Sequence, residues 1–292
     1  MKFLQQVQTE ALKEKQTIIQ RLMKDVAGYE KARSHKTVHA SDITRDAFCP
    51  RQTALLDLSG LTKKDEYINT AQRVTYDVGN VMSDLFREKW AAKWTYGNWR
   101  CARCGECRTF CLKPSGVMCK VANHKQECSW KYEEMAFVSQ SYDVSGSLDA
   151  VVDLGAPKLF ITELKIMAPT EFEKLIAPLP EHRIRTTLYM KLVEDSNSVY
   201  KPRLNLSTGK VLYVSRAWGK MHKQYNEILP FKEYNVERDD DALIPALAKA
   251  QQVRDWRKNK KMPVGICDSS AVPYAKKCSV CSLCFSGKYP PS

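Results

Sequence analysis

The stretch GSLDAVVDLGAPKLFITELKI, residues 146–166, holds three ionisable side chains inside two segments that read as buried strands. Asp149 precedes Ala-Val-Val, and Glu163 and Lys165 flank Leu164 after Leu-Phe-Ile-Thr. Side chains two apart on a strand share a face, so Glu163 and Lys165 sit side by side and Leu164 points the other way. If Asp149 lies at the same level on the neighbouring strand, three charged groups converge at one sheet edge. Two carboxylates supply the hard oxygen ligands that a divalent cation takes. An adjacent lysine can orient a water whose pKa such a cation lowers. That set suits hydrolysis of a phosphodiester. A Glu–Lys pair on a solvent-facing edge strand is the competing reading of the same residues.

Working outward, residues 135–155 read as two strands around Gly146, KLFITELKI as a third, and KVLYVSR (210–216) as a fourth. A helix over EHRIRTTLYMKLVEDS (181–196) lies between the last two, and another around 241–259 leads out. The N-terminal side is helical. Ile18, Leu22 and Val26 recur every four residues within 4–30. Ser41 can cap a helix that breaks near Cys49-Pro50, and a second helix ends at Gly60. TYDVGNVMSDLFREKWAAKW (75–94) gives a further helix with Val81, Leu85 and Phe86 on one face. The pattern predicts an α/β core, a mixed sheet flanked by helices.

The chain has 292 residues, 43% hydrophobic and 27% charged, which fits one large domain or two small ones. It has no apolar run near the roughly 18 residues of a membrane span, and its start lacks the apolar stretch of a signal peptide, so we expect a cytoplasmic protein. Lys and Arg total 46 against 33 Asp and Glu, a net charge of +13. Such a balance favours a polyanionic partner, nucleic acid first. Residues 251–292 carry eight Lys/Arg and two Asp/Glu, with Trp256 and Tyr274 among them. Basic groups with interleaved aromatics form the single-strand binding pattern, although a solvated helix face over core aromatics looks the same.

Eleven cysteines without a secretion signal point to metal rather than disulfides. Residues 99–130 lack helical or strand periodicity and hold six of them, so metal must replace a core there. Cys101-x-x-Cys104 is a knuckle, and Cys119 and Cys128 complete the expected zinc set. Cys107 and Cys111 are left over, as free thiols or, with His124, a second site. Cys49 stands alone, and Cys267, Cys278, Cys281 and Cys284 form the last group. CSVCSLC offers two overlapping C-x-x-C pairs, which also suit a zinc site or free thiols.

Asp149 followed by Glu163-Leu164-Lys165 resembles the signature of the PD-(D/E)XK nuclease superfamily. ASDITRDAFCPRQTALLDLSG, GNVMSDLF, EFEKLIAPLPEHRIRTTLYMKL and CDSSAVPYAKKCSVCSLCF resemble, in order, further motifs of its RecB-like branch, which includes CRISPR-associated and bacteriophage exonucleases. The likeness spans about residues 38–285. It implies a restriction-endonuclease-like core over 38–292 after an N-terminal helix (1–37), with a zinc ribbon inserted at 99–130 and a cysteine motif at 262–285. It implies a DNA exonuclease of recombination, repair or replication, in the host cytoplasm if phage-encoded. Asp149 and Glu163 would hold Mg²⁺ or Mn²⁺ beside Lys165. Single strands or duplex ends would be the substrate, and a recombination or replication protein a partner. It further implies a [4Fe–4S] cluster on Cys49, Cys267, Cys278 and Cys284, with Cys281 the alternative to Cys267. Two positions depart from the pattern. A family histidine falls on Ser83, where Asp84 or Glu88 can offer a carboxylate instead. The family's Gln-x-x-x-Tyr appears as Arg185-x-x-x-Tyr189, where Arg185 can contact a DNA phosphate or equally serve as a structural replacement. A non-catalytic DNA-binding scaffold is the alternative function, and a ribbon-based adaptor the third.

Overall fold

The computed structural model describes residues 18, 26–30, 37–60, 66–121, 126–216 and 230–289. The chain divides into two compact units, 1–33 with 63–78, and 34–62 with 79–292. In the first, Gly28–Glu30 pairs antiparallel with Glu66–Ile68. Most of the helix expected over 4–30 lies outside the described residues. Ile18 and Val26 are helical, but the chain is already extended from Gly28.

The second unit follows the expected alternation. After β1 (Val38–His39) come the short helix α1 (Ala40–Ile43) and α2 (Pro50–Ser59). Pro50 opens α2, where its missing N–H costs nothing. Gly60 closes it with a left-handed φ of 63°, which a Cβ would disfavour. The cap expected at Ser41 falls instead on His39, with Ser41 inside α1. Helix α3 (Thr70–Leu85) enters this unit at Gly79 and tightens into a π turn, Phe86–Trp90. On the expected apolar face Phe86 is buried, but Val81 is 57% exposed.

Ten strands build two mixed sheets. Strand β2 (Thr95–Cys101) runs into the 99–130 region read as aperiodic, β3 (Cys107–Cys111) lies inside it, and β4 (Trp130–Glu133) leaves it. Next come β5 (Met135–Ser139), β6 (Val144–Leu148), β7 (Ala150–Val152) and β8 (Leu159–Met167). Helices α4 (Pro169–Lys174) and α5 (Pro180–Asp195) lead to β9 (Leu204–Ser215) and β10 (Phe231–Glu237). Helices α6 (Ile244–Asn259), α7 (Pro273–Lys277) and α8 (Cys281–Cys284) end the described chain. The large sheet runs β10-β9-β8-β7-β2-β3, with β4 also on β2; β8 and β9 are parallel and the other pairs antiparallel. A three-stranded sheet runs β1-β6-β5.

Helix α5 buries Leu188, Tyr189, Met190, Leu192 and Val193 in one cluster with Val144, Leu148, Ile161 and Leu204. From Thr186 to Val193 every residue but Lys191 is buried. Gly146 lets the helix approach. A Cβ there would meet Leu192 Cδ1 at 2.8 Å and both Ala40 and Tyr189 at 3.0 Å. Leu164 faces the other side of the sheet, against Phe86, Ala150, Val152 and Val214. The central strands are thus covered on both faces, which explains how β8 can bury Glu163 completely.

Candidate functional site

Asp149 occupies the one-residue break between β6 and β7, where the chain leaves the small sheet for the large one. Its Oδ2 accepts the Leu164 N–H at 2.9 Å and the Lys165 ammonium at 3.2 Å. The expected convergence is therefore present. Lys165 Nζ also lies 2.6 Å from Glu163 Oε1, and the Arg185 guanidinium from α5 donates to the same oxygen at 3.0 Å.

These contacts set the charges. Glu163 has no exposure, and an unpaired buried carboxylate costs several kcal/mol. Lys165 and Arg185 offset part of that cost, yet burial first and the Asp149 charge second still push Glu163 up to about 7. Burial alone would raise Asp149 as well. The Lys165 ammonium and the Leu164 N–H outweigh it and hold Asp149 below the usual carboxylate range. Burial works against the Lys165 ammonium, but Asp149 and Glu163 prevail and raise it. Glu163 Oε2 is buried with no hydrogen-bond partner.

Residues not singled out in the sequence complete the site. Arg87, 9% exposed in its side chain, donates to the Asp149 carbonyl at 3.1 Å, to Glu134 at 3.0 Å and to Asp84 at 2.8 Å. Burial, then the Asp149 charge, raises Glu134. The Glu–Glu–Met segment and the helix offered no signal for either residue, because their roles come from long-range packing.

Several expected residues are placed otherwise. Arg185 is spent on Glu163 and not held out toward solvent. Tyr189 is 5% exposed and packs over Gly146. Glu88 points into the ribbon, where it accepts the Tyr132 N–H at 3.0 Å and the Lys131 ammonium at 3.1 Å. Ser83 donates to the Gly79 carbonyl at 2.9 Å, so its helix satisfies it. In the basic tail Trp256 is a core residue against Leu55 and Val280, Arg257 pairs with Asp143 at 2.8 Å, and Tyr274 is 62% exposed.

Nine of the eleven cysteines gather in two places. Cys101, Cys104, Cys119 and Cys128 bring their sulfurs within 4.8 Å of one another, and could bind a metal ion. Four thiolates at ~2.3 Å around one tetrahedral ion stand about 3.8 Å apart, which this group matches. The Cys104 backbone N–H leads in pulling Cys101 down to about 6, while burial pushes Cys128 up to about 12. Trp99 and Trp130 pack against these sulfurs in place of a larger core. Cys107 is exposed, and Cys111 carbonyl accepts from Trp99. His124 lies outside the described residues.

Cys49, Cys267, Cys278, Cys281 and Cys284 instead surround a cavity of about 120 Å³ with Ile266, Ala275, Val280 and Phe285 on its wall. Residues over 200 positions apart thus meet. Among the described residues, no three of these sulfurs are as close as the ribbon four.

No protein family matches the chain, and no curated protein does. Among solved structures, the crystal structure of SSO0001 aligns over 80% of this chain and 81% of its own, at 12% identity and a TM-score of 0.34. Among the described residues, no helix is long and apolar enough to cross a membrane.

Proposed function

We propose that this chain is a metal-dependent deoxyribonuclease with a RecB-like PD-(D/E)XK core, acting as an exonuclease. The observation that carries the reading is the convergence of Asp149, Glu163 and Lys165, with one Glu163 oxygen buried and unpartnered. A partnerless buried oxygen costs about 1–3 kcal/mol, and it suits a cation that the two carboxylates would share. Mg²⁺ or Mn²⁺ held there would supply Lewis-acid stabilisation of a phosphoryl oxygen and a more acidic water. The chain's own groups do the rest. The Leu164 N–H and Arg87 fix Asp149 by side chain and backbone, Arg185 holds Glu163, and Lys165 presents its ammonium between the carboxylates. The net charge of +13 supports DNA as the substrate.

Within this reading the ribbon centre is a structural zinc site, since four cysteines form a closed set. The five-cysteine cavity houses a [4Fe–4S] cluster, whose thiolates stand further apart than those of one ion. The apolar wall and the absence of a tight single-ion set fit that assignment.

A second reading, a DNA-binding scaffold without catalysis, draws on Arg185 and Lys165 both occupying Glu163 Oε1 and on the satisfied Ser83. End-labelled single- and double-stranded DNA incubated with each divalent metal separates the two. Under the nuclease reading, Asp149→Ala, Glu163→Ala and Lys165→Ala each lower cleavage by about 100-fold or more and leave DNA binding in place. Cleavage that survives Lys165→Ala removes the assignment. Metal-independent binding with no cleavage by the unaltered chain selects the scaffold.

A further inference from the structure

Arg51 follows Pro50 at the start of α2 and is only 4% exposed. A guanidinium does not shed its proton in a protein, and a charge buried without a counter-charge costs several kcal/mol. Arg51 therefore needs an anion, yet no carboxylate pairs with it among the described residues. Its Nε donates to Cys284 Sγ at 3.1 Å. Its terminal nitrogens donate to the carbonyls of Pro263 at 3.0 Å, Cys284 at 3.4 Å, and Tyr289. Carbonyls satisfy N–H groups but bring no net charge. Among the described residues its one side-chain partner is the Cys284 sulfur.

Cys284 lines the same cavity as Cys49, Cys267, Cys278 and Cys281. The surrounding chain is built around the arginine. A Cβ at Gly265 would stand 3.3 Å from Arg51 Cδ, so the segment carrying Pro263 and Cys267 lies directly on its stem. Four thiolates around a [4Fe–4S] core leave the assembly with net negative charge, and the wall is mainly apolar. We propose that Arg51 is the internal counter-ion of this anionic iron–thiolate centre and that Cys284 is one of its ligands. Arg51 is a positioning residue in this role. It donates to a ligand sulfur, holds the C-terminal cysteine motif against α2, and favours any state of the centre with more negative charge. Hydrogen bonds and charge near the sulfurs are what tune such clusters. The inference rests on the cluster reading and is independent of whether the chain cuts DNA.

One electron from dithionite makes the centre more negative, so the arginine should raise its reduction potential. The full chain and its Arg51→Lys, Arg51→Gln and Arg51→Met variants, purified anaerobically, are compared for iron and sulfide content, midpoint potential followed by electron paramagnetic resonance, and rate of bleaching in air. Arg51→Gln and Arg51→Met should be reduced at lower potential and lose colour several-fold faster. Arg51→Lys, which keeps the charge, should stay near the unaltered protein. Where the neutral variants do not fold well enough to titrate, iron retained by Arg51→Lys and lost by the others supports the counter-ion role equally. Identical potentials and bleaching throughout, or equal loss in Arg51→Lys and Arg51→Met, overturn the counter-ion role and leave the cluster standing. An iron-free unaltered protein from iron-supplemented growth overturns both.

Discussion

At the scale of single residues, helix α5 turns His182, Arg185 and Tyr189 inward. The sequence leaves Arg185 as a phosphate contact or a structural replacement, and in the structure its partner is Glu163 at 3.0 Å. A Lys or Arg that neutralises one phosphate adds about 0.9 to the salt slope of DNA binding. Arg185→Gln should therefore leave the slope of log K against log salt unchanged, and should lower the Mg²⁺ or Mn²⁺ concentration needed for half-maximal cleavage. A slope reduced by about one would place Arg185 on DNA after all. His182 gives a pH prediction. The Tyr213 hydroxyl, which accepts the Leu179 N–H at 2.9 Å, lies 2.8 Å from His182 Nδ1. Burial first, helped by the Lys165 and Arg185 charges, lowers the ring to about 3. The unfolded chain then protonates this ring first. The stability it contributes is complete above about pH 6.5 and is lost as pH falls toward about 3. Between pH 7 and pH 5 the loss is about 2 kcal/mol. His182→Gln, compared with the unaltered chain by urea melts at the two pH values, should show a smaller acid loss by about that amount.

At the scale of elements, the π turn Phe86–Trp90 is the connector. Arg87 faces Asp149, while Glu88, the next residue, holds the ribbon through Tyr132 and Lys131, and its carbonyl accepts Lys113 at 2.9 Å. Consecutive residues of a regular helix point about 100° apart, and the widened turn lets both find partners; such turns recur at functional sites. Arg87→Met leaves the Asp149 carbonyl unpaired, while Asp84 and Glu134, 49% and 40% exposed, return to water. The carbonyl decides the cost, about 1–3 kcal/mol in denaturant melts. Cleavage should fall with it, and ribbon metal content should not change. The same scale shows what could be read from the chain. Gly60, the 181–196 helix and the Glu-x-Lys strand were legible because local chemistry or an apolar run defines them. Strand β2 was not. Its buried positions are Thr95, Gly97, Trp99 and Cys101, an alternation carried by residues that hydropathy does not mark. Gly97 is needed because the Tyr132 ring lies over it. Strand β10 was missed for the opposite reason. As a sheet edge it is mostly exposed along FKEYNVE, so little apolar pattern exists to find.

At the scale of the whole second unit, the four-cysteine region is continuous with the large sheet. Thr95 and Tyr96 of β2 pair with β7, and residues 97–101 of the same strand pair with β3 and β4. Phe110, at a left-handed φ of 47°, is 4% exposed and stacks on Tyr200 at 4.3 Å between ring centres. Its strain is tolerable because Tyr96 and Arg203 hold it as well. Cys104→Ser should remove one metal per chain, shift the emission of Trp99 and Trp130 to the red, and leave the iron content intact, because this cluster of side chains is separate from the one around α2. Loss of iron in the same variant would mean that the two centres fold as one. The break at Asp149 has a consequence for how the gene can change. A strand reverses its faces when shifted by one residue. An added or deleted residue between 144 and 152 therefore either moves the carboxylate off Leu164 or turns Val151 out of the core. Five residues later the chain is exposed from Leu154 to Lys158, around Gly155 at φ 75°. Here extra length costs only loop entropy, which grows slowly. A library of short insertions walked along the coding sequence should thus show a sharp intolerant notch at Asp149 beside a permissive window at 154–158. That window is the natural place to splice in a tag.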